Sequence, residues 1–331
     1  MSDEKRQKVA DSQTAKTVKD MLGMPYKEFM KALTGKEAPS EGNALGEVDP
    51  KVKAILNMGH SDLNEDDEKI PVKTIPIPVK NLLPTQSQIG LKDSIGFLAF
   101  KNPDGAKASL GGVANFDGAM ILTADGKYIL DGHHRWSQVY MINPDATIPA
   151  LDLTLNLKNG TEMLKVIQLA IAATYRKILM KSADAPTDIF NDEKTGADGE
   201  KLTQMLKDIF EGKYGIEDGG SLDNVAKFKD ILKEAWKTDD EGVIEKLVEH
   251  AKEVKAKRPA AAPVRAIMPQ PSDTAKATGN PKDDGTGGMP KAFINKLTDG
   301  SLNFKDPITV KEAKVESKKW IKTFEQFKGN R

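Results

Sequence analysis

The sequence predicts an α+β protein: a small mixed α/β domain over residues 70–156, flanked on both sides by helical regions, with a disordered linker and a C-terminal helix. Three observations predict it. Residues 71–79 carry Val72, Ile75, Ile77 and Val79 with prolines between, the pattern of an edge strand, because proline cannot donate to a ladder. Two short apolar runs, 119–122 and 127–130, flank Thr123-Ala124-Asp125-Gly126, whose Asp-Gly step is a strong hairpin signal. Residues 160–256 carry apolar stripes at helical spacing. The expected divisions are a helical N-terminal region (1–69), the α/β domain (70–156), a helical domain (157–256), a linker (257–290) and a C-terminal helical segment (291–331).

The elements follow in order. Residues 3–22 read as a polar helix broken by Gly23 and Pro25, after which Tyr26, Phe29, Met30 and Leu33 repeat at helical spacing. Residues 36–46 read as loop, and Pro50 opens a short helix. Leu82-Leu83-Pro84-Thr85-Gln86 turns into a helix with Ile89, Leu91, Ile95 and Leu98 as its apolar positions. Residues 102–118 show no clear period. Residues 131–142 read as a short helix stopped by Asn143-Pro144-Asp145, and 148–155 as a strand with Leu151, Leu153 and Leu155 on one face. Thr161 is expected to cap a helix reaching about Met180. Residues 258–290, rich in Pro, Ala, Gly and Asp, are expected to bury too little to order themselves. A last helix near 310–327 carries Trp320, Phe324 and Phe327, aromatics that call for a docking surface on this chain or on a protein partner.

Composition removes several chemistries. The 331 residues include no cysteine, which excludes disulfides, thiol catalysis and iron–sulfur clusters; neither haem nor flavin is expected. The four histidines, at 60, 133, 134 and 250, are too few for a histidine-rich metal site. The longest apolar run, 166–173, is interrupted by Gln168 and is far below the roughly 20 residues of a membrane span, so the expected setting is cytoplasmic, with no membrane partner. The net charge is zero but uneven: residues 251–331 hold 17 Lys and Arg against 9 Asp and Glu. Such a basic tail is a candidate contact for DNA.

The motif that carries chemistry is Asp131-Gly132-His133-His134-Arg135, placed between the apolar strand Tyr128-Ile129-Leu130 and a helix. A helix start presents unpaired N–H groups and about half a positive charge. Gly132 permits close approach of backbone to ligand, and His134 and Arg135 add donors, Arg in the bidentate geometry that suits phosphate. Together they form an anion site, most simply for phosphate. Asp131 can orient a histidine, hold a metal ion or cap the helix. Thr85 and Gln88 are candidate ligand contacts from the earlier loop. Gly111-Gly112 with Lys107 and Ser109 resembles no P-loop and reads as a flexible loop.

The order Ile75-Pro76-Ile77-Pro78, Leu83-Pro84-Thr85-Gln86, the helix 89–98, the hairpin 120–130 and the turn 131–135 resembles the ParB/sulfiredoxin superfamily over about a quarter of the chain. Sulfiredoxins carry Gly-Cys-His-Arg at the turn; Gly132-His133-His134-Arg135 lacks the nucleophilic cysteine, so sulfinic-acid reduction is rejected. ParB-type partition proteins carry Gly-Glu-Arg-Arg and bind CTP, and His133-His134-Arg135 departs from that. The Asp-Gly-His-His-Arg form is most similar to the free-serine-kinase branch. There the resemblance implies nucleotide phosphates on Gly132, His133, His134 and Arg135, with Asp131 and His133 in the catalytic set. It puts Gln86 where that branch has a catalytic glutamate; glutamine cannot take a proton, and Asp93 on the following helix is a candidate substitute or a solvated helix residue.

The expected function is therefore binding of a nucleotide (ATP, ADP or CTP) with Mg²⁺, Asp131 being the metal ligand, in a kinase or NTPase. Two other readings stand beside it: a ParB-like DNA-binding module, and a non-catalytic structural protein of the phage-encoded kind.

Overall fold

The computed structural model describes residues 20–56, 69–116, 118–182, 185–280 and 289–299. The polar helix expected before residue 20, His60 and the aromatic helix near 310–327 lie outside the described residues. In chain order the elements are α1 (Tyr26–Thr34), β1 (Ala44–Glu47), α2 (Pro50–Leu56), β2 (Val72–Pro78), β3 (Leu83–Pro84), a π-helical turn (Lys92–Gly96) running into α3 (Phe97–Phe100), α4 (Gly105–Leu110), β4 (Ile121–Ala124) and β5 (Tyr128–Asp131). They continue with α5 (His133–Ile142), β6 (Thr147–Leu153), α6 (Gly160–Tyr175), β7 (Lys177–Met180), α7 (Asp192–Thr195), α8 (Leu202–Phe210), α9 (Leu222–Trp236), α10 (Asp240–Ala256), α11 (Pro271–Ala277) and α12 (Lys291–Thr298).

The α+β class stands. Five strands form one sheet in the order β2-β6-β4-β5-β3. The proline-bearing β2 lies at its edge, antiparallel to β6, where missing N–H groups cost least. The Asp-Gly turn joins β4 to β5 as an antiparallel hairpin, with Asp125 and Gly126 both at positive φ (54° and 63°), the type I′ requirement. Successive strand residues face opposite sides. Ile121, Ile129 and Ala150 face one core with Trp136 and α8–α10, whereas Leu122, Leu130 and Leu151 face a second core with α1, α6 and α12. The first core runs from Ile77 to Val254 and the second from Met21 to Leu297, so flanking helices from both ends of the chain cover this one sheet.

Four local expectations are corrected. The loop expected at 36–46 contains β1, which pairs antiparallel with β7; a partner more than a hundred residues away leaves no local signal. For the same reason the helix expected to reach Met180 stops at Tyr175, where Arg176 takes φ 61° and the chain turns into β7. Its cap is Asn159, whose side chain accepts from the Glu162 N–H, not Thr161. The linker expected to stay disordered is ordered over 258–280. Ile267, Met268, Gln270, Pro271, Thr274 and Ala275 are buried, Gln168 donates to the carbonyls of Ile267 and Met268, and the Thr274 hydroxyl accepts from the Leu179 N–H. Low apolar content does not prevent ordering when the backbone's own polar groups are met by the body of the protein. The period-free segment 102–118 also holds α4.

Candidate functional site

β5 ends at Asp131, and Gly132 turns the chain into α5. Gly132 has φ 96°, and a Cβ there would lie 2.5 Å from Ile121 Cγ2, so conformation and space both demand glycine. Among the described residues no side chain caps α5. The first-turn N–H groups of His133, His134 and Arg135 are therefore left to a ligand or solvent.

Both histidines are spent on structure. His133 is buried and its Nε2 accepts from the Thr85 N–H at 3.1 Å. His134 Nε2 accepts from the Gly90 N–H at 3.1 Å. An imidazole that accepts at Nε2 is neutral with its proton on Nδ1. Burial, seconded by the Arg265 charge, pushes the His133 pKa down to about 3 and His134 well below its ordinary value. The two rings thus pin both ends of the 85–90 loop to α5. The loop is braced from its other side by Asp188, whose carboxylate accepts from the Ile89 N–H at 2.9 Å, and by Ser87, whose N–H donates to the Pro263 carbonyl at 3.0 Å.

The remaining expected residues divide. Gln86 lines the cavity at the turn, but its amide donates to the Gln88 carbonyl. Thr85 is buried with its hydroxyl on the Ile129 carbonyl, and Gln88 Oε1 accepts from the Arg265 N–H at 3.2 Å; neither lines the cavity. Asp131 and Arg135 line it together: Arg135 Nη2 is 3.6 Å from the Asp131 carboxylate and Nη1 donates to the Met120 carbonyl at 2.9 Å. Burial pushes the Asp131 carboxyl up; Arg135 opposes this, Asp273 adds to it, and Lys181 and Arg265 oppose it too. Asp93 also lines the cavity, 3.7 Å from both His134 Nε2 and Arg265 Nη1. Lys107 pairs with Asp104, Ser109 is buried, and the 111–112 glycines lie away from the cavity. His250 is structural, its Nδ1 at 2.7 Å from the Met141 carbonyl.

The cavity holds about 530 Å³, room for a nucleotide-sized ligand. Its second wall comes from residues the sequence reading passed over: Lys181 and Asp273, joined as an ion pair, with Arg265 and Gln270. A linker-like composition around Arg265 and Asp273 hid them, and only the hydrogen bonds of 263–274 to distant segments bring them here. Charge in the cavity is close to balanced: Arg135, Arg265 and Lys181 stand opposite Asp93, Asp131, Asp273 and Glu217. Among the described residues no three His, Asp or Glu side chains group as a metal site, and no helix is long and apolar enough to cross a membrane. Comparison with family models, with curated proteins and with solved structures gives no match.

Proposed function

We propose that the protein binds a phosphate-bearing ligand, best a nucleotide, on the turn Asp131–Arg135. The observation that carries the reading is the convergence, in one cavity, of an uncapped ten-residue helix start with Arg135, Arg265 and Lys181. Backbone N–H groups and the helix dipole meet the phosphate oxygens, and the guanidinium groups supply charge-assisted contacts. The succession of β2, the 83–86 loop, the helix, the hairpin and the turn supports the likeness to the ParB/sulfiredoxin superfamily.

Binding is supported better than catalysis. Gln86 has no proton-accepting group, and the Nε2 atoms of both histidines already accept from the loop. If a substrate proton is taken, Asp131 at the turn and Asp93 across from it are the carboxylates to take it, and burial raises the Asp131 carboxyl in the direction that suits that work. A Mg²⁺ ion bound with the nucleotide would use Asp131 as its protein ligand. One carboxylate completed by phosphate oxygens and water is a donor set this ion accepts.

The test is calorimetric titration of ATP, ADP and CTP with Mg²⁺ into the wild type and Arg135→Ala. The variant should lose about 1.5–3 kcal/mol, more than tenfold in affinity, with its circular dichroism unchanged. Absence of heat from every nucleotide with the wild type overturns the reading.

A further inference from the structure

Gln138 stands apart in this cavity. It is 6% exposed and lines the cavity, yet among the described residues its carboxamide makes no hydrogen bond. Its amide atoms are not sealed inside the protein, so their unused donors and acceptor open onto the cavity, where the polar edge of a ligand can meet them. Its place on α5 is informative. His134, Arg135 and Gln138 are related by three and four positions and share one helix face. Gln138 therefore follows the helix start by about one turn, roughly 6 Å along the axis from His134.

A ring that can stack lines the same cavity. The helix 92–100 runs alongside α5, held by the Gly90 N–H on His134 and by the Ser94 and Ser137 hydroxyls at 2.6 Å. Phe97 is one turn beyond Ser94, as Gln138 is next to Ser137. Phe97 also lines the cavity and is 38% exposed, unusual for a ring when Phe29, Phe100, Phe190, Phe228 and Phe293 are fully buried. Phe116 lines the cavity as well.

We propose that Gln138 reads the base of the bound nucleotide: its carboxamide pairs with a heterocycle edge that presents a donor beside an acceptor, while the ring stacks on Phe97. A carboxamide offers that complementary pair of atoms, and aromatic side chains stack bases of any identity. The inference rests on the phosphate reading above and adds the ligand's other half. The ligand is then a nucleoside phosphate and not a bare phosphate or a sugar phosphate.

The experiment titrates ATP, CTP, GTP, UTP and inorganic tripolyphosphate into the wild type, Gln138→Met and Gln138→Leu. The wild type should bind at least one nucleotide more tightly than tripolyphosphate. Gln138→Met, which keeps the volume and removes the polar atoms, should weaken that nucleotide roughly tenfold and leave tripolyphosphate unchanged. Its melting temperature should not fall, since no protein hydrogen bond is lost; Gln138→Leu should repeat the pattern if methionine packs poorly. Equal weakening of nucleotide and tripolyphosphate, or no weakening of either, overturns the base-reading role and leaves the phosphate site standing. Failure of both ligands to bind the wild type removes the phosphate site and the base-reading role together.

Discussion

The two walls of the cavity are built in opposite ways. The Asp131–Arg135 wall joins the end of a strand in the five-stranded sheet to the start of α5, and its side chains are committed: His133 and His134 hold the 85–90 loop, and Arg135 holds the Met120 carbonyl. The 263–273 wall crosses the body as a strap of short helical turns and extended links, held by contacts such as those of the Pro263, Ile267 and Met268 carbonyls. Among the described residues the Arg265 guanidinium makes no hydrogen bond, only the 3.7 Å approach to Asp93. The difference teaches that the histidines of the motif, which look like its chemistry, serve its architecture, whereas the less constrained cation comes from the plainer segment.

Substitutions at glycine should break this contrast most visibly. Gly132→Ala combines a left-handed φ with a Cβ placed on Ile121 and should cost about 3 kcal/mol in urea unfolding. Gly279→Ala, at φ 79° beyond the strap and with nothing within 4 Å, carries only the backbone penalty and should cost about 1 kcal/mol. Equal costs would mean that the turn is no tighter than the strap.

Removing a staple should have a smaller effect with a pH signature. His133→Leu orphans the Thr85 N–H and should cost about 1–3 kcal/mol at pH 7. The His133 pKa falls from an unfolded value near 6.5 to about 3 in the fold, so the unfolded chain binds the proton first as pH drops. Its contribution is complete above pH 6.5 and is lost as pH falls toward 3. The raised Asp131 works in the opposite direction, since its burial cost disappears on protonation. Unfolding curves at pH 7 and pH 4.5 should differ more for the wild type than for His133→Leu. An equal difference would show His133 ionising freely in the folded protein.

The smallest structural effect belongs to Arg265→Ala. A partly exposed ion pair of this length contributes well under 1 kcal/mol, so stability should change by no more than about 0.5 kcal/mol. Nucleotide affinity in calorimetry should nonetheless fall about tenfold. A large loss of stability instead would assign Arg265 to holding the strap.

Much of the sheet and the first wall was legible because their signals are local. Asp125-Gly126 specifies its own turn, the prolines of β2 announce an edge, and a glycine between an apolar strand and a helix announces the sharp turn at Gly132. The ribbon of β1 and β7 was not legible, because each strand is four residues long and the partner it pairs with is remote. The strap was illegible for a related reason. Its composition argues for disorder, and the groups that order it, Gln168 and Leu179, lie about a hundred residues earlier. Gln138 was passed over because a glutamine inside a helix looks like a solvated residue until its burial is known. His133 and His134 were singled out for ligand and catalytic roles, but which atoms their rings bind depends on the path of the 85–90 loop, which spacing alone does not fix.

The position of the strap in the chain also has a temporal meaning. A polypeptide emerging from its N-terminus completes the hairpin once residue 131 is out, and the edge strand β2 can be paired once β6 has followed. Arg265 and Asp273 appear more than a hundred residues after that. A nascent chain halted after α10 already owns the turn, both histidines that fasten its loop and Lys181, yet lacks Arg265, Gln270 and Asp273 of the facing wall. The second wall of the cavity is thus completed among the last acts of synthesis, and a product truncated after α10 would lack it.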